Sequence, residues 1–132
     1  PPPTRSFFDV VRSGDAQGTK ILLEKGANIE ARVIGMGGDL TPLHVCSQAG
    51  TVDVMRVLLA FDIDVNAMSQ SKVTPLHFAC MNGHADAVAI LLDHGADCTV
   101  KTQDIDPFYG GTALSMACEN GHAECARLVL EK

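Results

Sequence analysis

Apolar positions return along this chain in dense clusters parted by polar, glycine-containing stretches. In Val52, Val54, Met55, Val57, Leu58 and Leu59, and again in Ala85, Ala87, Val88, Ile90, Leu91 and Leu92, the apolar residues cover more than one stripe of a helix. Such a helix must be packed on several sides, as an interior member of a stack is. Shorter clusters, Ile21-Leu22-Leu23 and Leu128-Val129-Leu130, stand near the two ends. Ahead of the two dense clusters, Thr41 and Thr74 precede prolines. Each hydroxyl can cap a helix start while Pro42 and Pro75 take the first helical position, where no N–H is needed. Gly50, Gly83 and Gly121 fall where these first helices must stop, because glycine takes a left-handed backbone cheaply. The pattern therefore predicts a short first helix, a glycine turn and a second, more apolar helix, several times over.

The elements recur with a measurable period. Thr41-Pro42-Leu43-His44 and Thr74-Pro75-Leu76-His77 are 33 residues apart, and a weaker copy, Thr112-Ala113-Leu114-Ser115, follows 38 residues after Thr74. Gly83-His84 recurs as Gly121-His122 with the same offset of 38, and Gly14 precedes Gly50 by 36. From Asn28, Asp64 and Asp97 to the next Thr there are 13, 10 and 15 residues, so the extra residues all fall in one connecting segment. Insertions confined to one connection are expected of packed repeats whose loops project from one face.

Thr-Pro-Leu-His, then Gly-His, an apolar helix and Gly-Ala-Asp resemble the ankyrin repeat over essentially the whole chain. The resemblance implies an all-α class: an ankyrin-repeat solenoid of stacked helix-turn-helix units with β-hairpin fingers. Residues 1–132 form one domain with units near 4–40, 41–73, 74–111 and 112–132. Arg5-Ser6-Phe7-Phe8 replaces the motif in the first unit, and its second helix mixes Gln17, Gly18 and Lys20 with apolar residues, as a polar-faced N-terminal cap would. The last unit lacks a closing Gly-Ala-Asp. With no initiator Met, and Pro1-Pro2-Pro3 as extended linker, the expectation is a domain belonging to a longer chain. Asp39 and Lys72 occupy the finger position where the family usually has Gly, which predicts two distorted turns.

Composition narrows the function. Hydrophobic residues make up 46% and charged residues 20% of the 132, enough apolar material to order the chain. No run approaches the ~18 to 20 apolar residues of a membrane span. The net charge is −6, which argues against a nucleic-acid partner because phosphate binding needs a surplus of Lys and Arg on one face. The acidity is local. Residues 74–111 carry Lys101 against Asp86, Asp93, Asp97, Asp104 and Asp106, and a basic partner would be steered there. Five cysteines include no Cys-x-x-Cys pair. Cys46, Cys80 and Cys118 read as reduced, small core hydrophobes, which points to an intracellular, cytoplasmic setting.

The chain carries no signature of catalysis. It has no Gly-rich phosphate loop and no Gly-x-Ser-x-Gly, and no nucleophile stands beside an evident base. The resemblance implies that His44 and His77 fix turns by bonding the Thr hydroxyl and nearby backbone. A metal site is not expected, since equivalent residues of stacked helices lie about 8 to 10 Å apart, too far to converge on one ion. No cofactor is called for. Asn66, after Asp64-Val65, is similar to the hairpin asparagine that is hydroxylated in ankyrin repeats, and the plainer reading is that it stabilises its turn.

What remains is recognition. The resemblance implies a non-catalytic scaffold that binds a protein partner through the concave face and fingers. The alternative is a regulatory or targeting domain of an enzyme whose catalytic part lies elsewhere. The expected contact residues are Arg32, Ile34 and Met36 on the first finger, Met68 and Gln70 on the second, and Lys101, Gln103, Ile105, Phe108 and Tyr109 on the third. Gln48, Met81, Asn82 and Glu119 would join them at the helix ends. The aromatics beside carboxylates suggest a partner with an apolar pocket rimmed by Lys or Arg. The chain itself is expected to be a monomer.

Overall fold

Three threonines start helices in the same way. Thr41, Thr74 and Thr112 lie in extended backbone, and their hydroxyls accept the main-chain N–H groups of His44, His77 and Ser115. One of the amides a helix start leaves open is thereby satisfied. At the first two sites the imidazole completes a reciprocal pair: Nδ1 of His44 accepts the Thr41 N–H at 3.1 Å, and Nδ1 of His77 accepts that of Thr74 at 2.9 Å. Histidine here takes the part that Glu or Gln takes in a capping box. Thr112 is followed by Ser115, whose hydroxyl donates to the Thr112 carbonyl instead, at 2.8 Å.

The computed structural model of the chain describes residues 7–35, 38–105 and 108–131. Among them the helices come in four pairs: α1 (Phe7–Ser13) with α2 (Ala16–Glu24), α3 (Pro42–Ala49) with α4 (Val52–Ala60), α5 (Pro75–Met81) with α6 (Ala85–Asp93), and α7 (Ala113–Glu119) with α8 (Ala123–Leu130). Helices α1, α3, α5 and α7 pack on one another in chain order to form one layer, and α2, α4, α6 and α8 form a second. The core lies between the layers, where Leu43, Met55, Leu58, Leu76, Phe78 and Leu91 are sealed from solvent. Burying each such side chain is worth about 1.5–3 kcal/mol. The first pair buries less: α2 seals only Thr19 and Leu23, as expected of a polar-faced end unit. Arg5 and Ser6 lie outside the described residues.

Successive pairs are locked by a repeated joint. The His84 Nε2–H donates to the Gln48 carbonyl and the His122 Nε2–H to the Met81 carbonyl, both at 3.1 Å. Each imidazole lies directly over the preceding unit's turn glycine, with Nδ1 at 2.7 Å from where a Cβ on Gly50 would be and 2.6 Å for Gly83. Any larger residue would displace it. Gly50 is itself the left-handed cap of α3, whereas α5 and α7 end on Asn82 and Asn120 with the glycine following. Between the first two pairs the joint is incomplete. Thr51 stands where the histidine would be, and its buried hydroxyl has no hydrogen-bond partner.

The connections vary as their lengths do. Strand β1 (Val33–Gly35) pairs antiparallel with β2 (Gly38–Leu40), matching Val33 to Leu40, and β3 (Asp104–Ile105) pairs with β4 (Phe108–Tyr109), matching Ile105 to Phe108. The second connection, expected to be a hairpin too, is a tight loop among the described residues: Ser69 N–H donates to Val73 O and Lys72 N–H to Ser69 O, both at 3.0 Å. It is the shortest of the three, and the inserted residues of the other two supply their strands. The expected distortion at Asp39 and Lys72 holds at one of them. Lys72 takes a left-handed backbone at φ 61°, but Asp39 stays in β2 and Gly38 carries the left-handed turn at φ 111°. A second strained site is Asp62, φ 62°, in the place of Gly26 and Gly95. Asp tolerates that region better than most residues.

Candidate partner-binding surface

The fingers are held in a row by bonds between neighbours. Arg32 Nη1 donates to the Asp39 carbonyl of its own finger and to the Met68 carbonyl of the next, both at 3.1 Å. Gln103 N–H donates to Ser71 O at 2.9 Å. Behind them the capping histidines reach forward: His44 Nε2–H donates to Val73 O at 2.8 Å and His77 Nε2–H to Val100 O at 2.9 Å. The same imidazole thus starts a helix and anchors the next finger.

On this row, Ile34 is 85% and Met68 49% exposed. Gln70 is exposed and crosses Gly38, while Lys101, Gln103 and Asp104 are exposed on the third finger. Of Ile105, Phe108 and Tyr109 the structure describes the backbone, paired as β3 and β4. Met36 lies outside the described residues. The helix-end candidates divide. Glu119 is open to solvent, but Met81 packs against the core, and Asn82 spends its amide Nδ2–H on the Gln48 carbonyl at 3.2 Å. That carbonyl also receives His84, so Gln48 serves the joint between units through its main chain. Asn66 does similar work: Nδ2–H donates to Gly95 O at 3.3 Å, and Oδ1 accepts Asp97 N–H at 2.7 Å. Both of these bonds reach the turn of the following unit rather than its own.

The motif histidines and the cysteines Cys46 and Cys80 are sealed from solvent. Burial holds the His44 imidazole down to about 4, against the pull of its bond to Val73 O, with Arg32 lowering it further. His77 is lowered for the same first reason. With Nδ1 accepting and Nε2–H donating, both rings are neutral and fully bonded, so neither can serve as a general base. Burial pushes the Cys46 thiol up, and the Cys80 thiol up to about 12, far from the thiolate a nucleophile needs. Cys118 corrects an expectation: it is exposed, not core, because among the described residues no further helix pair packs on the outer face of α7 and α8. Among the described residues no group of three His, Cys, Asp or Glu could hold a metal ion, and no helix is long and apolar enough to cross a membrane.

The class that this fold and surface define is a helical-repeat solenoid with its connections displayed along one side. The chain belongs to the ankyrin repeat family: the family model described as ankyrin repeats in three copies matches residues 7–102, and that of a single ankyrin repeat matches residues 109–132. No individually curated protein matches the chain. Ankyrin repeats are generally protein–protein interaction modules, so protein partners follow from the family.

Proposed function

We propose that the chain is a non-catalytic scaffold that holds a protein partner against its row of fingers. The observation that carries the reading is the exposure of Ile34 and Met68 on adjoining fingers that Arg32 ties together. Apolar side chains left open on a braced surface gain free energy when a partner removes them from water. The third finger adds Ile105, Phe108 and Tyr109 to the acidic Asp104, so the partner presents an apolar pocket rimmed by Lys or Arg, and its association weakens as salt rises. Buried, unbridged thiols at Cys46, Cys80 and Cys125 suit a reducing compartment inside the cell.

The test begins with affinity capture and mass-spectrometric identification of the partner, followed by titration of variants. Replacing Phe108 and Tyr109 by Ser, or Ile34 and Met68 by Ser, should each weaken binding by about 2 kcal/mol, roughly thirtyfold, if these are hot spots. Thermal midpoints should barely move, since the residues stand outside the helical layers. Intact binding with lost stability would make the fingers packing elements and move the site to the helix ends near Glu119.

A further inference from the structure

Arg32 carries a charge that is fixed in place and unspent. Its Nη1 group is used up on the main-chain carbonyls of Asp39 and Met68, 3.1 Å from each, so the guanidinium is braced across two fingers. The Nε and Nη2 edge makes no hydrogen bond among the described residues, and no carboxylate there pairs with it: the ion pairs are those of Arg56 with Asp53 and of Arg127 with Glu124 and Glu131. The side chain is exposed. Lys72 and Lys101 are exposed on the other two fingers, but an ammonium on a flexible stem lacks the planar, pre-oriented fork. Arg32 immediately precedes β1 and Ile34 stands two residues on, which sets both side chains on one face of the finger about 7 Å apart. Ile34, 85% exposed, and Met68, 49% exposed, flank the guanidinium on adjoining fingers.

We propose that Arg32 receives an Asp or Glu side chain from an extended segment of the partner, with an apolar residue two positions from that carboxylate lying on Ile34 and a further apolar contact on Met68. The proposal rests on the reading that the fingers hold the partner, and it names the chemistry met at the first two of them. A guanidinium edge pairs with a carboxylate through two parallel hydrogen bonds. An extended chain sets alternate side chains on one face at the same ~7 Å interval that separates Arg32 from Ile34. Because Nη1 already holds the guanidinium, little of its freedom is lost on binding. A C-terminal carboxylate fits less well, since the apolar flanks call for chain on both sides of the acid. In a protein of net charge −6, a single carboxylate also meets less repulsion than a doubly charged phosphate. With Asp104 exposed on the third finger, the bound segment acquires a polarity: its acid lies at the first finger and its base at the third.

A displayed library of random peptides, long enough to cross all three fingers, is selected on the chain, and the recovered peptides are synthesised with amidated C-termini. They should carry Asp or Glu with an apolar residue two positions away. A double-mutant cycle then separates pairing from bracing. Arg32→Gln should weaken a recovered peptide about tenfold or more, whereas the same peptide with its acid changed to the amide should bind Arg32→Gln and the unaltered chain alike. Equal losses for the acid and amide peptides would overturn the proposal and leave Arg32 as a brace between fingers. Recovered peptides without that spacing, binding that needs a free C-terminal carboxylate, or a library that yields no binder would overturn it too. Ile34→Ser with Met68→Ser tells this failure from a deeper one. If that pair weakens binding while Arg32 shows no coupling, only the carboxylate falls; if it leaves binding unchanged, the fingers are not the site and the reading beneath falls with it.

Discussion

An imidazole closed at Nδ1 by an amide N–H and at Nε2 by a carbonyl of the next finger has no room for a second proton. His44 and His77 are both held this way. Their folded values lie below the unfolded ~6.5, so the unfolded chain binds protons that the folded chain refuses. Stability is therefore complete above about pH 6.5 and is lost as pH falls from there toward 4. His44 alone should remove about 2 kcal/mol by pH 5, with His77 adding in the same direction. Urea unfolding at pH 7.5 and pH 5 reads this as a drop in midpoint, and a flat profile would show that the rings accept protons in the folded state. The turn role of these histidines was implied by the resemblance of Thr-Pro-Leu-His to the ankyrin motif. Their reach to Val73 and Val100 was not, since it depends on where the following finger comes to rest.

Pairs of helices, taken as elements, differ mainly in how completely each is joined to the last. Thr51 is the weak joint: its hydroxyl is buried without a partner over Gly14, whose Cβ position lies 3.4 Å from the Thr51 methyl. An imidazole there could reach the Arg12 carbonyl as His84 reaches that of Gln48. Thr51→His should therefore stabilise the chain by about 1 kcal/mol, seen as a rise of a few degrees in the thermal midpoint, and no rise would mean that the first joint differs in geometry from the others. Helix pairing was readable from capping residues and turn glycines. The fingers were readable only in part, because segment length shows that residues are inserted but not that strands need them, and Asp39 fell on the glycine position of the motif while Gly38 made the turn. Burial of Cys118 was misjudged for a plainer reason: it shares its motif with Cys80, and exposure is decided by a neighbour, not by the motif.

Across the whole molecule the helix pairs touch chiefly their neighbours in sequence, so stability is a sum of unit terms and joint terms. α3 to α6 have a covered face on both sides, whereas α7 and α8 have one open. Amide hydrogen exchange of the 132-residue chain should accordingly be slowest in α3 to α6, with α7 and α8 opening at lower free energy; uniform protection would show that the stack melts as one body. The histidine-over-glycine joint has one more implication. It is made of a plug on one side and a socket on the other, so a tandem duplication of one 33-residue period inserts a histidine and a glycine together, one for each neighbour. Such a gene can lengthen by copying itself without redesigning this joint.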